Sequence, residues 1–295
     1  MKKFELVKNK YGYYEVDKKP GIEELSDYYK EKYYQNGEGA YNAEEKYSDD
    51  EIKFFLNKIE QKFQAAVNVC PELLGDGKSF LDIGAGEGWA LNYFSGLNWN
   101  CLGLDFSDYG CATNNPDQVS NLLVGDIYSN LETLFKEGRK FDMVLLDNVL
   151  EHVIDPLCLL TDIKEIVSEK GVLIVEVPND FSIVQTELYD KKYISAKYWL
   201  AFPDHLSYFN KDGLESLAKD AGWNIERTIT AYPIDTNLFN PNTNYIKNRS
   251  LGKSCHNSRV TIENLLHSIS VEKTNKLYEA MAELGLGREI IMIMA

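Results

Sequence analysis

The sequence has few of the residues that build disulfide frameworks or metal sites. Its five cysteines (Cys70, Cys101, Cys111, Cys158 and Cys255) are scattered, odd in number and never in Cys-x-x-Cys spacing, which is typical of reduced thiols. The four histidines show no ligand spacing such as His-x-x-x-His, so we expect no metal site. No apolar run approaches the ~20 residues that span a bilayer, and the first residues lack the apolar region of a signal peptide. These absences predict a cytoplasmic protein without a membrane span.

Basic residues are also scarce, with 31 Lys and Arg against 46 Asp and Glu, a net charge of −15. Residues 76–180 contain 6 basic and 18 acidic side chains, whereas residues 181–295 contain 13 of each. A protein with this excess of negative charge repels the phosphate backbones of nucleic acids, and we therefore expect no nucleic-acid partner. With 295 residues, 44% of them hydrophobic, the chain can bury a full core.

From Lys78 onward, strand-like and helix-like stretches alternate. Apolar strand patterns cover residues 79–84, 100–105, 121–126, 141–147, 171–178, 223–232 and 288–295, and the clearest helices cover 156–168 and 211–221. This alternation predicts an α/β fold, a doubly wound and mostly parallel sheet with helices on both faces. The last strand is too apolar to lie free, so we expect it to enter the sheet antiparallel.

The segments that flank this core have patterns of their own. Residues 1–20 predict a short hairpin, and Ser48 is a predicted N-cap for an amphipathic helix through about Val67. Between them, the tyrosine-rich residues 22–35 predict either a lid over a ligand or a helix buried on the core. Residues 236–285 form an insertion, with helices expected at about 259–270 and 272–284.

The sharpest motif is Asp82-Ile-Gly84-Ala85-Gly86-Glu-Gly88, which joins the first core strand to a helix. Glycines there allow unusual backbone angles and close approach to a ligand. A second acid, Asp105, ends the next strand, where a carboxylate can accept hydrogen bonds from a ribose diol. A tight turn without a ligand is the alternative, and the agreement of motif with context favours ligand binding.

The glycine spacing argues against a dinucleotide. The third glycine of the dinucleotide pattern would fall at Trp89 but comes one residue early, at Gly88. Asp82 would repel a pyrophosphate, yet it suits a ligand with an ammonium and a sulfonium group. At these residues the chain resembles the class I S-adenosylmethionine-dependent methyltransferases, strongly over 78–232 and on to the final strand. That family has a seven-stranded, Rossmann-like sheet with a reversed C-terminal strand.

The resemblance implies a set of cofactor contacts. The glycine loop would lie against the amino-acid part of S-adenosylmethionine, Asp105 would hold the ribose hydroxyls, and Gly125-Asp126-Ile127 would contact the adenine. The methionine end and the acceptor would meet at Asp147-Asn148. The complete predicted set is Asp82, Gly84, Ala85, Gly86, Asp105, Phe106, Gly125, Asp126, Ile127, Asp147 and Asn148, with S-adenosylhomocysteine as the product.

Two histidines are candidates for catalysis. His205 is predicted to follow the fifth core strand, where it would contact the acceptor or act as general base, with core packing as the alternative. His152 follows Glu151 after the fourth core strand and would orient the acceptor, unless it only satisfies a loop carbonyl.

Four further residues are candidate acceptor contacts, namely Tyr34, Tyr208, Arg249 and Arg259. No acidic residue occurs between Asp235 and Glu263, a gap that contains both arginines. The functional interpretation is a phosphate site for an anionic acceptor, and the alternative is a solvated loop.

Four segments follow from these assignments. Residues 1–75 are the hairpin, lid and helix, 76–235 the S-adenosylmethionine-binding core, 236–287 the helical insertion and a candidate acceptor cap, and 288–295 the final strand. DNVLEHVIDP, VPNDFSIVQ and HLSYFN resemble methyltransferases of small molecules, the latter two those encoded in bacterial polysaccharide clusters. We therefore expect a small polar acceptor, either a sugar or a nucleotide-linked sugar. A homodimer is one assembly that the chain could form. The alternatives are an NAD-type oxidoreductase and a non-catalytic S-adenosylmethionine-binding assembly protein.

Overall fold

The structure is a computed structural model that describes residues 4–21, 24 and 47–295. Its strands are β1 (Leu6–Lys8), β2 (Tyr14–Val16), β3 (Ser79–Ile83), β4 (Asn100–Asp105), β5 (Leu122–Val124), β6 (Phe141–Asp147), β7 (Val167–Pro178), β8 (Ser207–Tyr208), β9 (Ile225–Thr230) and β10 (Glu289–Met294). Most of the predicted lid, including Tyr34, lies outside the described residues.

The helices follow the predicted alternation. They are α1 (Asp49–Val69), α2 (Trp89–Gly96), α3 (Tyr109–Asn114), α4 (Ile127–Lys136), α5 (Pro156–Lys164), α6 (Ile183–Asp190), α7 (Lys211–Asp220), α8 (Gly252–Ile269) and α9 (Val271–Glu283). Short 3-10 turns include Leu150–His152, Ile234–Phe239 and Arg249–Leu251.

Seven strands form the central sheet in the order β5-β4-β3-β6-β7-β10-β9. Strands β3 to β7 pair in parallel, whereas β10 runs antiparallel to both β7 and β9. The predicted doubly wound α/β fold with a reversed last strand is therefore confirmed.

Alternation along the buried strands divides the core into two layers. Leu81, Val144 and Val175 pack on one face with side chains of α4, α5 and α7. Phe80 and Ile174 pack on the other face with side chains of α1, α2 and α9. Both faces are thus covered, which explains why the core strands are apolar on both sides.

The N-terminal hairpin is confirmed, and it has a role that the sequence did not indicate. Strand β2 pairs with β1 on one side and with β8 on the other. The amide of Val16 also donates to the carbonyl of Leu206 at 2.9 Å. The hairpin therefore holds the loop that contains His205.

Helix α1 begins where the capping signal predicts. The Ser48 hydroxyl accepts from the Glu51 amide, and the Glu51 carboxylate accepts from the Ser48 amide at 2.9 Å, which completes a capping box.

Two predicted boundaries differ from the structure. The helix expected over 156–168 ends at Lys164, because Val167 pairs with Phe141 and so begins β7. The insertion helix expected from 259 begins at Gly252. Helices α8 and α9 pack against α1: Asn264 donates to the Asp50 carbonyl and Asn275 to the Gln61 carbonyl, at 2.9 and 3.1 Å.

Candidate active site

The glycine loop after β3 requires two of its glycines. Gly84 has φ +80°, and a Cβ built there would lie 2.4 Å from Cγ2 of Val149. Gly88 has φ +76°, and a Cβ there would lie 2.7 Å from Sγ of Cys111. A side chain at either position would combine backbone strain with a clash. The loop therefore packs tightly against the segment that follows β6.

Asp105, at the end of β4, fixes this loop. Its carboxylate accepts from the amide of Gly86 at 2.8 Å and from that of Ser107 at 3.0 Å. Burial raises the pKa of Asp105, and these backbone donors oppose the rise. Each carboxylate oxygen has a second lone pair, so the group can still accept from a ribose diol.

Asp82, near the end of β3, is 3% exposed. Burial raises its pKa to about 8, the carboxylate of Asp147 adds to the rise, and the charge of Lys62 opposes it. An ionised carboxylate at this depth is costly without a cationic partner. The position thus favours a positively charged ligand group.

Asp147 ends β6 and takes part in a buried ion network that the sequence analysis missed. The ammonium of Lys62, in α1, pairs with Asp147 and, at 2.7 Å, with Glu176 of β7. Lys58 reaches the other oxygen of Glu176 at 3.2 Å. Two signals were available in the sequence, since these lysines interrupt the apolar face of α1 and Glu176 interrupts an apolar strand.

Asn148 continues from Asp147 with a backbone that non-glycine residues rarely adopt. Its φ is +54°, its side chain donates to Asp147 at 2.7 Å, and its amide donates to the Glu176 carbonyl at 2.9 Å. These contacts hold the strained residue at the edge of the sheet.

The predicted adenine contacts lie beside Asp105. The amide of Gly125 donates to the Asp105 carbonyl at 2.8 Å. Asp126 caps α4, because its Oδ1 accepts from the amide of Ser129 at 2.8 Å, and Ile127 is buried. Phe106 is partly buried against the core.

The structure brings the two candidate catalytic histidines together. The ring centroids of His152 and His205 lie 4.9 Å apart in an edge-to-face arrangement. Nδ1 of His152 lies 2.7 Å from the carbonyl oxygen of Asp204. The amide of Leu206 donates to the Glu151 carbonyl at 2.8 Å, which ties the His205 loop to the turn after β6.

Glu151 completes this group, which we call the histidine cluster (Glu151, His152 and His205). Its carboxylate is 1% exposed, accepts no hydrogen bond from another side chain, and lies 3.7 Å from Nε2 of His152. Burial raises the pKa of Glu151 well above its usual value. One donor atom from each of the three residues lies within 4.8 Å of the others. The spacing of these residues in the sequence did not indicate that they come together, because they belong to two separate loops.

A further buried acid, Asp180, follows β7. Burial raises its pKa to about 7, and the charge of Arg288, 3.7 Å away, opposes the rise.

The ring of Tyr208 is fully buried with its centroid 6.1 Å from that of His205. Tyr208 therefore lies beside His205, and its predicted contact with the acceptor stays a prediction.

The two candidate arginines are placed differently. Arg259 in α8 is 13% exposed and pairs with Glu263 at 2.8 Å and Glu289 at 3.6 Å. These pairs argue against the predicted phosphate contact of Arg259, because two carboxylates of the chain already neutralise its guanidinium. Arg249 is exposed in a 3-10 turn.

The seven-stranded sheet, with a glycine loop after its first strand and acids at the ends of β3, β4 and β6, defines the class I methyltransferase fold. A family model described as a methyltransferase domain matches residues 55–228, which is more than half of the chain. The chain belongs to this methyltransferase-domain family, and this excludes the NAD-type oxidoreductase alternative.

Several curated proteins resemble part of the chain. The ubiquinone biosynthesis O-methyltransferase of Dinoroseobacter shibae is 27% identical over 152 residues, covering 50% of this chain and 60% of that protein. Its namesake from Cereibacter sphaeroides is 32% identical over 106 residues, covering 35% and 42%. An uncharacterised protein of Methanocaldococcus jannaschii is 30% identical over 139 residues, covering 47% and 59%. The matches thus span 42% to 60% of these relatives' lengths.

Among solved structures, an S-adenosylmethionine-dependent methyltransferase from Archaeoglobus fulgidus has a TM-score of 0.48 at 17% identity, covering 91% of this chain and 98% of that one. Within the part of the chain that the structure describes, no helix is both long and apolar enough to cross a membrane.

S-adenosylmethionine is the cofactor of this domain, and the sheet edge fits it. Asp82 offers a buried carboxylate for the ammonium group, Asp105 retains acceptor capacity for the ribose, and Gly86, where a Cβ would meet only the Gly84 carbonyl oxygen at 3.9 Å, leaves room for close approach. The individual contacts of the predicted set remain predictions.

Proposed function

We propose that this protein transfers a methyl group from S-adenosylmethionine to a hydroxyl of a small polar acceptor. When bound, S-adenosylmethionine supplies an electrophilic methyl group. The observation that carries the proposal is the histidine cluster, of which Glu151 and His152 lie in the turn after β6 and His205 in the loop before β8. Transfer to an amine or thiolate needs no such group, whereas a hydroxyl is a weak nucleophile.

The residues at the sheet edge bind and orient the reactants. Asp82 would hold the ammonium group of the cofactor and Asp105 its ribose hydroxyls, and the Lys62 ion pair holds Asp147 in place. Alignment of this kind accounts for much of the acceleration expected of a displacement reaction, because the reactants no longer have to find each other in solution.

The histidine cluster activates the acceptor hydroxyl. As the oxygen bonds to the methyl carbon and the carbon–sulfur bond breaks, the hydroxyl proton must leave. Imidazole and carboxylate groups accept protons, and the same groups bind cations that lower the pKa of a hydroxyl. Both routes place the acceptor oxygen beside His152 and His205.

Two observations support the substrate class. The two ubiquinone biosynthesis proteins named above are O-methyltransferases, which agrees with a hydroxyl acceptor. The segments VPNDFSIVQ and HLSYFN resemble methyltransferases of polysaccharide clusters, so we infer that the acceptor is a sugar or a nucleotide-linked sugar. Arg249 is the exposed candidate for its phosphate.

The test is a methyl-transfer assay with labelled cofactor against nucleotide-linked sugars, free sugars and catechols. We expect His205→Asn to lower kcat at least a hundredfold, the size typical of lost acid–base catalysis, with unchanged cofactor affinity by calorimetry. His256→Asn is the matched control, because His256 is partly exposed, lies outside the histidine cluster and pairs with Glu51 at 3.5 Å.

Two outcomes would contradict the proposal. Wild-type kcat in His205→Asn would remove the cluster from the reaction. Cofactor binding without turnover on any hydroxyl acceptor would favour the alternative of a non-catalytic binding protein.

A further inference from the structure

We propose that Glu151, His152 and His205 bind a divalent transition-metal cation at the acceptor end of the site. This inference rests on the proposed function for its role, since the cation would hold and polarise the acceptor hydroxyl. The binding site itself rests on the geometry of the three side chains alone.

The donor set is the first argument. Two imidazoles and one carboxylate form the ligand set of many zinc, iron and manganese sites that keep open positions for a substrate. Donor atoms of the three residues lie within 4.8 Å of one another. Around a bound zinc they would lie about 3.3 Å apart, so metal binding requires the three side chains to move closer together.

The hydrogen bond of His152 is the second argument. The Asp204 carbonyl at 2.7 Å can only accept, so Nδ1 of His152 carries a proton, and in the neutral ring Nε2 is the nitrogen that can act as a ligand. This is the outer contact that metal-binding histidines commonly make, and it fixes both the tautomer and the ring orientation. Nε2 is also the nitrogen that faces Glu151, at 3.7 Å.

The burial of Glu151 is the third argument. Both carboxylate oxygens are inaccessible and accept no hydrogen bond from another side chain, although the residue is 1% exposed. Buried polar groups almost always have partners, and an exception calls for an explanation, of which a bound ion is one. The carboxylates of Asp147, Glu176 and Asp180 add negative potential at Glu151, which a cation would offset.

The scaffold around the cluster is rigid. Glu151 and His152 lie in a 3-10 turn, where the His152 amide donates to Val149 at 3.0 Å. The His205 amide donates to the Ala201 carbonyl at 2.9 Å. Strand β8 begins two residues after His205 and pairs with β2. A backbone held in this way leaves only the side chains to be ordered when a metal binds, which limits the ordering cost.

The experiment uses the full chain, stripped with a chelator and titrated with Co²⁺ and Zn²⁺. We expect one Co²⁺ per chain with visible d–d absorption, competition by Zn²⁺, and a higher melting temperature with excess Zn²⁺. Glu151→Gln and His205→Asn should each weaken Zn²⁺ binding at least tenfold. His256→Asn should bind like wild type.

Several results would overturn the site. Absence of Co²⁺ absorption in folded wild-type protein would do so, as would unchanged affinity in both cluster variants. Should Glu151→Gln fail to fold by circular dichroism, His205→Asn alone decides the question. If the metal-free protein methylated its acceptor at full rate, the reaction would need no cation, and the proposed function would be unaffected. Stoichiometric Zn²⁺ binding without methyl transfer to any acceptor would support the metal site and contradict the proposed function.

Discussion

At the scale of single residues, the candidate site is distinguished by acids that are buried without full compensation. Asp82 is 3% exposed and Asp180 1%. Burial raises the pKa of each, to about 8 for Asp82 and about 7 for Asp180. Proteins keep such groups where a ligand supplies the missing charge, and strongly shifted carboxyls accordingly cluster at functional sites.

The first prediction follows from the sign of the shift at Asp82. Between pH 3.8 and about 8 the unfolded carboxyl is ionised while the native one stays protonated, so rising pH lowers native stability through this group. Asp82→Asn should therefore gain stability relative to wild type as pH rises from about 4 to about 8, by ~1 kcal/mol or more. Urea unfolding across this pH range measures the difference.

The same substitution should weaken cofactor binding, because the ammonium group loses its carboxylate. Wild-type protein should release a proton on binding at pH 7, detectable from calorimetry in buffers of different ionisation enthalpy, and Asp82→Asn should release none. The control is Asp108→Asn, an exposed acid three residues after Asp105. A stability difference that is the same at pH 4 and pH 8 would refute the role given to Asp82.

At the scale of elements, α1 is joined to the sheet by charges as well as by apolar packing. Lys62 is 3% exposed and pairs with carboxylates at the ends of β6 and β7. Burial alone would raise the pKa of Glu176, but the charges of Lys58 and Lys62 hold it down at about 2. The network's contribution is therefore retained at neutral pH and lost as pH falls from 4.5 toward 2.

The second prediction concerns this network. Lys62→Met removes a buried cation and leaves Asp147 and Glu176 under-compensated, so we expect the free energy of unfolding to fall by ~3–5 kcal/mol. Lys53→Met, at an exposed position of the same helix, should change it by less than ~0.5 kcal/mol. Denaturant titration of both variants tests the expectation, and equal stability would show that the ion pairs contribute little.

Elements were predictable where a local pattern specifies them. The apolar runs 100–105 and 141–147 match β4 and β6, and the Ser48 capping signal places the start of α1. Residues 167–170 were predicted in part as helix, because pairing with β6 is a tertiary effect that local propensity cannot show. That the two histidines meet was not predictable for the same reason, since long-range contacts such as the bond from the Leu206 amide to the Glu151 carbonyl bring residue 205 beside residue 151.

At the scale of the whole molecule, the fold places part of the acidic charge at one edge of the sheet. Residues 76–180 hold 18 acids against 6 basic residues, and several of those acids end strands at one edge of the sheet. Such an edge attracts a cationic cofactor and disfavours an anionic acceptor close to the methyl group. A phosphate of a nucleotide-linked acceptor would therefore extend away from Asp147 and Glu151.

The architecture also depends on one strand, which gives the third prediction. Strand β10 lies between β7 and β9 and is the connection between β9 and the parallel part of the sheet. Ile293 is fully buried there, opposite Ile174 and Arg227. A charge at this position would meet the apolar layer under α1 and α9, where no water can solvate it.

Ile293→Asp should therefore cost at least ~4 kcal/mol, the sum of a large core truncation and a buried polar group. A domain is stable by only ~5–15 kcal/mol, so this loss lowers the fraction of folded protein. Cofactor binding should weaken with it, because only the folded protein binds the cofactor. The control is Leu284→Asp. Because Leu284 is 66% exposed, this variant should keep a melting temperature within a few degrees of wild type. If Ile293→Asp instead melted like Leu284→Asp, β10 could not be the strand that completes the sheet.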